Sequence, residues 1–355
     1  MTHFVPCVST LDEGRPVSSK SGVLVLSQED VERLLTMPEC IEAVDQALRD
    51  VARGEVVLPV RSIVWLPDRH GLLGVMPGYL GTGNVLGIKV ITVMPGNHGT
   101  PYHSHQGVVL LFDAERGRLL SILDATAITA IRTAAASAVA TRALARPDAS
   151  DLAVLGTGVQ AAAHIEAMRA VRPVRRVRAW SRSSANARAF AASESARHGI
   201  QVEPAASARE AVDGADLICT VTSACDPVLE GAWISPGAHV NAVGACVPRC
   251  RELDSHAVGR ARVYVDHRPA ALAEAGDLLI PIAEGVIDES HILGEIGGVL
   301  IGAVPGRQTG DDVTLYKSLG IAVEDLAAAA RAHANAHAAR AGTTITIGGE
   351  RRASP

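Results

Sequence analysis

Between Ser27 and Gly54 the chain reads "SQEDVERLLTMPECIEAVDQALRDVARG", with apolar residues recurring every three or four positions. That spacing predicts helices with one buried face: Ser27 suits an N-cap, Pro38 opens a second helix and Gly54 ends it. The period then falls to two. "EVVLPVRSIVWLP", "HGLLGVMPGYL", "VLGIKVITVMPG", "QGVVLLFDAERG" and "RLLSILDA" are short β-rich runs broken by Gly, Pro and Asp, the pattern of a mostly antiparallel sheet. A long helix of small residues follows in "TAITAIRTAAASAVATRALARPD".

From Asp151 onward, strand and helix patterns alternate. "DLAVLG", "VRRVRAWS", "ADLICTVTS", "HVNAVGA" and "ARVYVD" are apolar runs, each followed by a turn or helix, and "DLAAAARAHANAHAARAG" is a last helix. Such alternation predicts an α/β fold with a doubly wound parallel sheet of Rossmann type, beside an N-terminal α+β domain. The expected division is a loose leader at 1–22, a substrate and dimerisation domain at 23–130 completed by a C-terminal helix at 318–341, a nucleotide-binding domain at 131–317, and a polar tail at 342–355.

Composition narrows the function. With 355 residues and 48% hydrophobic content the chain can bury two cores. The formal charge of −5 is spread along the chain, which argues against a nucleic-acid partner and for a small molecule. No apolar run is long enough to span a bilayer, and the N-terminus lacks a signal-peptide layout, so a cytoplasmic protein is expected. The six cysteines include no C-x-x-C pair and read as reduced thiols.

In "VLGTGVQAAAHIEAM", Gly156, Gly158 and Ala161 stand between a strand and a helix. There, missing side chains let backbone N–H groups and the positive helix end approach a pyrophosphate. Thr157, Val159 and Gln160 complete that turn. The next strand ends "AWSRSS" where an NAD site usually carries an acid; Ser181, Arg182 and Ser183 instead offer donors and a cation to a 2′-phosphate. NADP(H) is therefore the expected cofactor, with NAD(H) the alternative.

Three cations interrupt apolar runs: Arg61 in "LPVRSIVWL", Lys89 in "VLGIKVITVM" and Arg132 in "TAIRTAAASA". Buried cations need partners, so these residues suggest an anion site for a carboxylate; the plainer alternative is that each reaches solvent or pairs with a nearby acid. His98, His103 and His105 cluster without Asp, Glu or Cys beside them and are not assigned to a metal, nor are Cys246 and Cys250.

The ordered motifs "GVMPGYL", "GIKVIT", "HQGVVLLFD", "TAIRTAAASAVAT", "LGTGVQA", "WSRS", "GAHVNAVGA", "RELD" and "LYKSLGIAVED" resemble the ornithine cyclodeaminase/mu-crystallin family. The resemblance runs from about Leu24 to about Ala330 and is closest to the mu-crystallin, ketimine reductase branch. It implies a homodimer whose N-terminal domain supplies the substrate site. Arg61, Lys89 and Arg132 would bind the substrate carboxylate and line the hydride-transfer site, with Met76 in the substrate pocket. Thr222, Asn241, Val243, Gly244 and Ser318, the last with Leu319 and Gly320, would lie near the nicotinamide. One departure stands out: cyclodeaminase-like members carry an Asp after "NAVG", and this chain has Cys246, a poor stand-in for a carboxylate that shuttles protons. The expected reaction is thus NADPH-dependent reduction of a carboxylate-bearing imine to an amino acid, with Lys89 a candidate proton donor. Alternatives are an amino-acid dehydrogenase, an opine-like synthase or a cyclodeaminase of the same family, and a non-catalytic NADPH-dependent binder.

Overall fold

A computed structural model of the chain describes residues 22–97 and 99–347. Most of the expected leader, His98 and the end of the expected tail lie outside the described residues.

Capping and period account for the first helices. Ser27 accepts from the Asp30 amide and Asp30 returns the bond, opening Gln28–Leu34. At Met37–Arg53, Thr36 donates from its amide and from Oγ1 to the Glu39 carboxylate, and Gly54 ends the helix in the left-handed conformation. The first sheet follows, eight-stranded, running Thr343–Ile345, Val23–Leu26, Leu119–Asp124, His105–Asp113, Val85–Val93, Leu72–Leu80 and Val56–Val57, with Ser62–Trp65 also paired to Leu72–Leu80. Its pairings are antiparallel except that of Val23–Leu26 with Leu119–Asp124. Thr343–Ile345 falls in the stretch expected to be tail, and joins the sheet by pairing with Val23–Leu26.

Alternation along the Val85–Val93 strand puts Gly87, Lys89 and Ile91 on one buried face. Helix Ala322–Ala339 packs on that face and on Leu72–Leu80. This is why a lysine in an apolar strand meets the first turn of a helix more than two hundred residues away. Helix Ala125–Leu144, capped by Asp124, is apolar nearly all round and buried, packed by Met37–Arg53, Val159–Val171 and Ala322–Ala339.

The second sheet is parallel throughout, in the order Val202–Pro204, Arg176–Trp180, Asp151–Leu155, Leu217–Thr220, His239–Ala242, Thr314–Lys317, Arg262–Val265, Ile292–Glu295. The strand order reverses between Asp151–Leu155 and its neighbour Leu217–Thr220, and a crevice for ligand opens at the carboxyl ends of such strands. Among the described residues no helix is long and apolar enough to cross a membrane.

One reading of the sequence is corrected: Cys225 and Cys250 form a disulfide, not two thiols. It links the loop after Leu217–Thr220 to the loop that carries Glu252. The partners are 25 residues apart in sequence, so no local spacing announced them.

Candidate active site

The glycine turn lies at the strand-order reversal. Gly156 has φ +124°, and a Cβ there would sit 2.8 Å from the Val221 carbonyl oxygen, so only glycine fits. Gly158 caps helix Val159–Val171, and a Cβ on it would meet nothing within 4 Å. An open approach to the N-terminus of a thirteen-residue helix fits a pyrophosphate. Past the next strand, Ser183 caps Ser184–His198 and Ser181 accepts from the Ser183 amide. Arg182 is exposed and forms no ion pair with any described residue.

The three cations converge, each beside carboxylates. Lys89 Nζ lies 2.7 Å from Asp325 and is 2% exposed. Arg132 donates from Nε to Asp325 at 2.7 Å and from Nη1 to Glu324 at 3.0 Å. Arg61, half-buried just before Ser62–Trp65, pairs with Glu274 at 3.1 Å and donates from Nη2 to the Leu319 and Gly320 carbonyls, both at 2.9 Å. Arg61, Met76 and Gly320 line one small pocket with His267 and Ala270. Of the alternatives left open by the sequence, pairing with acids is realised for all three.

Burial brings the Lys89 ammonium down to about 8, assisted by Arg132 and Arg61 and resisted by Asp325. Burial also works against the charge on Arg132, but Asp325 and Glu324 more than offset it. Asp325 would be raised by burial; Arg132 and Lys89 outweigh that and hold it below the usual carboxylate range.

Segment Ser318–Gly320 joins the cation cluster to the parallel sheet. Ser318 N–H donates to Ala242 O, and Asp266 Oδ2 accepts from the Leu319 and Gly320 amides at 2.6 and 2.7 Å. Gly320 has φ +75°, and a Cβ there would lie 2.3 Å from Arg132 Nη1, so the arginine lies flat on this turn. At the strand ends, Glu252 accepts from Thr222 N–H and Oγ1–H, Thr220 Oγ1–H and Gly244 N–H, all within 2.8 Å. Val243 N–H donates to Thr220 O in the same place. Asn241 points elsewhere: it is fully buried and donates to Thr141 Oγ1 at 2.9 Å. Gln160 Nε2 donates to Thr129 O, whereas the Val159 side chain is exposed. Cys246 lies within electrostatic reach of Lys317 and Arg61, and burial pushes its thiol up.

The acids that complete the cluster, Asp266, Glu274, Glu324 and Asp325, were not singled out from the sequence. Glu324 and Asp325 stand in "LYKSLGIAVED", where two acids opening an alanine-rich helix look like ordinary first-turn residues. Among the described residues no three His, Cys, Asp or Glu side chains gather as metal ligands.

Residues 22–340 match the model of the ornithine cyclodeaminase/mu-crystallin family. The chain belongs to that family. It is 42% identical over 314 residues to the ketimine reductase mu-crystallin of Mus musculus, covering 87% of this chain and 96% of the mouse protein. Among solved structures it is similar to the Thermococcus litoralis Delta(1)-pyrroline-2-carboxylate reductase in complex with NADH and L-proline: TM-score 0.89, 37% identity, 91% of this chain and all of the other covered. An archaeal alanine dehydrogenase dimer with bound NAD gives a TM-score of 0.86 at 31% identity, covering 92% of this chain and all of the other.

Proposed function

We propose that this family member is an NADPH-dependent oxidoreductase that reduces carboxylate-bearing imines to amino acids. The observation that carries the reading is the meeting of Lys89, Arg132 and Arg61 beside the Ser318–Gly320 turn, which continues directly from a strand of the parallel sheet. A reduced nicotinamide, when bound at the strand-order reversal, supplies the hydride. The turn Gly156, Thr157 and Gly158 with helix Val159–Val171 would hold its pyrophosphate, and Ser181, Arg182 and Ser183 the 2′-phosphate. Thr222, Val243, Gly244 and Ser318 border the place where the nicotinamide would lie.

The chain's own residues then divide the work. Arg132 and Arg61 hold the substrate carboxylate, fixing the imine carbon against the cofactor face. Met76 and the pocket wall keep water from the reacting carbon. Lys89, with an acidity near neutral pH, gives a proton to the imine nitrogen while Asp325 keeps the ammonium in place. Cys246 replaces the acid of cyclodeaminase-like members, so proton work beyond that single transfer has no ready carboxylate here. The mouse relative is named a ketimine reductase and the Thermococcus litoralis neighbour a Delta(1)-pyrroline-2-carboxylate reductase, both in keeping with this chemistry.

Two substitutions test the division. Arg132→Ala is expected to raise KM for a carboxylated imine by roughly 10- to 100-fold, one charge-assisted contact being worth about 1.5–3 kcal/mol, and to matter little for an uncarboxylated imine. Lys89→Ala is expected to lower kcat with both and to abolish the fall in wild-type kcat as pH rises through about 8. Equal impairment of both substrates by Arg132→Ala would remove the clamp.

The protein is also proposed to be a homodimer. Val57, Val60, Val64, Trp65 and Leu86 expose apolar surface around the first sheet, and the archaeal neighbour is a dimer. Light scattering at micromolar concentration should give twice the chain mass; the mass of one chain would refute it.

A further inference from the structure

Three cations meet behind the pocket that Arg61 lines, and four buried carboxyls already surround them: Glu274 on Arg61, Asp325 on Lys89 and Arg132, Glu324 on Arg132, and Asp266 under the Leu319–Gly320 turn. With all four ionised the cleft has no surplus positive charge, and a carboxylate entering such a buried place is opposed rather than attracted. The four are not held alike. Asp266 accepts three backbone N–H bonds, from His267, Leu319 and Gly320. Asp325 has Lys89 and Arg132 Nε on Oδ1, each within 2.8 Å, and Glu274, the least buried of the four, has the Arg61 guanidinium 3.1 Å from an Oε2 that accepts no hydrogen bond. Glu324 has Arg132 Nη1 at 3.0 Å and a 3.5 Å contact with the Ile321 amide on one oxygen, while its buried Oε1 meets no donor among the described residues.

The groups facing Glu324 come from every element around it. Arg132 approaches from helix Ala125–Leu144, Asp325 stands next to it, Asp266 follows strand Arg262–Val265, Tyr316 lies on Thr314–Lys317 and Cys40 on Met37–Arg53, with Lys89 behind Asp325. Arg132 alone among them pairs directly with Glu324; two are carboxylates. We propose that Glu324 balances the charge of this cleft by being protonated whenever a substrate carboxylate rests on Arg132, so that in alkaline solution, where the free carboxyl is ionised, substrate binding draws a proton from solvent. Burial, with Asp266 and Asp325 beside it and against the pull of Arg132, already pushes the free carboxyl up to about 8, and a second anion on Arg132 pushes it further.

The proposal rests on Arg132 as the carboxylate clamp, and its test separates the two. NADPH-loaded enzyme is titrated with pyrrole-2-carboxylate, a planar acid with no imine to reduce, in buffers of differing ionisation heat. At about pH 9 the wild type should take up at least about half a proton more per ligand bound than Glu324→Gln, and the difference should vanish near about pH 6. Lys89 pairs with Asp325 rather than Glu324 and is present in both proteins, so the difference between them reads Glu324. Binding with equal uptake in wild type and variant overturns the proposal and leaves the clamp standing; failure of the wild type to bind overturns both. Should Glu324→Gln not fold, infrared difference spectra of the wild type decide: ligand binding at the same high pH must bring up the carbonyl band of a protonated carboxylic acid, and its absence overturns the proposal.

Discussion

At the scale of single residues, the signals strongest in the sequence were those in which a residue type contradicts its surroundings. A lysine in "GIKVIT" and an arginine among alanines announce themselves, because an apolar neighbourhood cannot screen a charge. Their partners did not, since Glu324 and Asp325 sit where first-turn acids are commonplace and Asp266 ends an ordinary strand. Arg182 stood out for another reason, an arginine where an NAD site usually has an acid, and its role is a proposal. It is exposed beside two serines, where a 2′-phosphate would need a cation. Arg182→Ala is expected to raise KM for NADPH at least about tenfold while leaving NADH nearly unchanged, and steady-state rates with both cofactors check this. Equal loss with the two would take Arg182 out of the phosphate site.

At the scale of elements, Met37–Arg53 and Val85–Val93 were readable because their buried faces repeat over several turns or pleats, and Ala125–Leu144 because a long run of small residues without Gly or Pro reads as a helix. Thr314–Lys317, Ile292–Glu295 and Val202–Pro204 were not, because polar or glycine residues break their apolar runs and neighbouring strands hold them rather than their own pattern. The turn after Thr314–Lys317 matters most, because it sets Arg132 against the helix that carries Glu324 and Asp325. Gly320→Ala is therefore expected to act twice. Placing a Cβ at φ +75° destabilises the fold by more than about 1 kcal/mol, and the clash with the guanidinium shifts Arg132 enough to raise KM for a carboxylated substrate. Thermal unfolding together with a kinetic assay checks both; a fully stable variant with unchanged KM would mean that the turn does not position Arg132.

At the scale of the whole molecule, buried histidines tie stability to pH. Burial brings His164 down to about 4 and His239 down to about 3, so both are neutral in the folded protein. Unfolded, each takes a proton below about 6.5, so the unfolded state binds more protons and stability falls as pH drops from there toward 4. Each should cost about 1.4 kcal/mol per pH unit through that window, and urea unfolding between about pH 7 and 4.5 should show it; a flat midpoint would contradict neutral burial. The two sheets also divide the chemistry, the parallel one fitted to a dinucleotide and the first one carrying Lys89 on the buried face of an inner strand and Arg61 just ahead of Ser62–Trp65. If this arrangement selects an imine by its carboxylate, as proposed, the wild-type enzyme alone shows it. NADPH oxidation by the wild-type enzyme is followed with pyrroline-2-carboxylate and with the same ring lacking the carboxylate. The expected result is a kcat/KM at least about 100-fold higher for the carboxylated imine, the effect of one or two charge-assisted contacts. Equal kcat/KM for the two imines, or no oxidation with either, would rule out selection by the carboxylate.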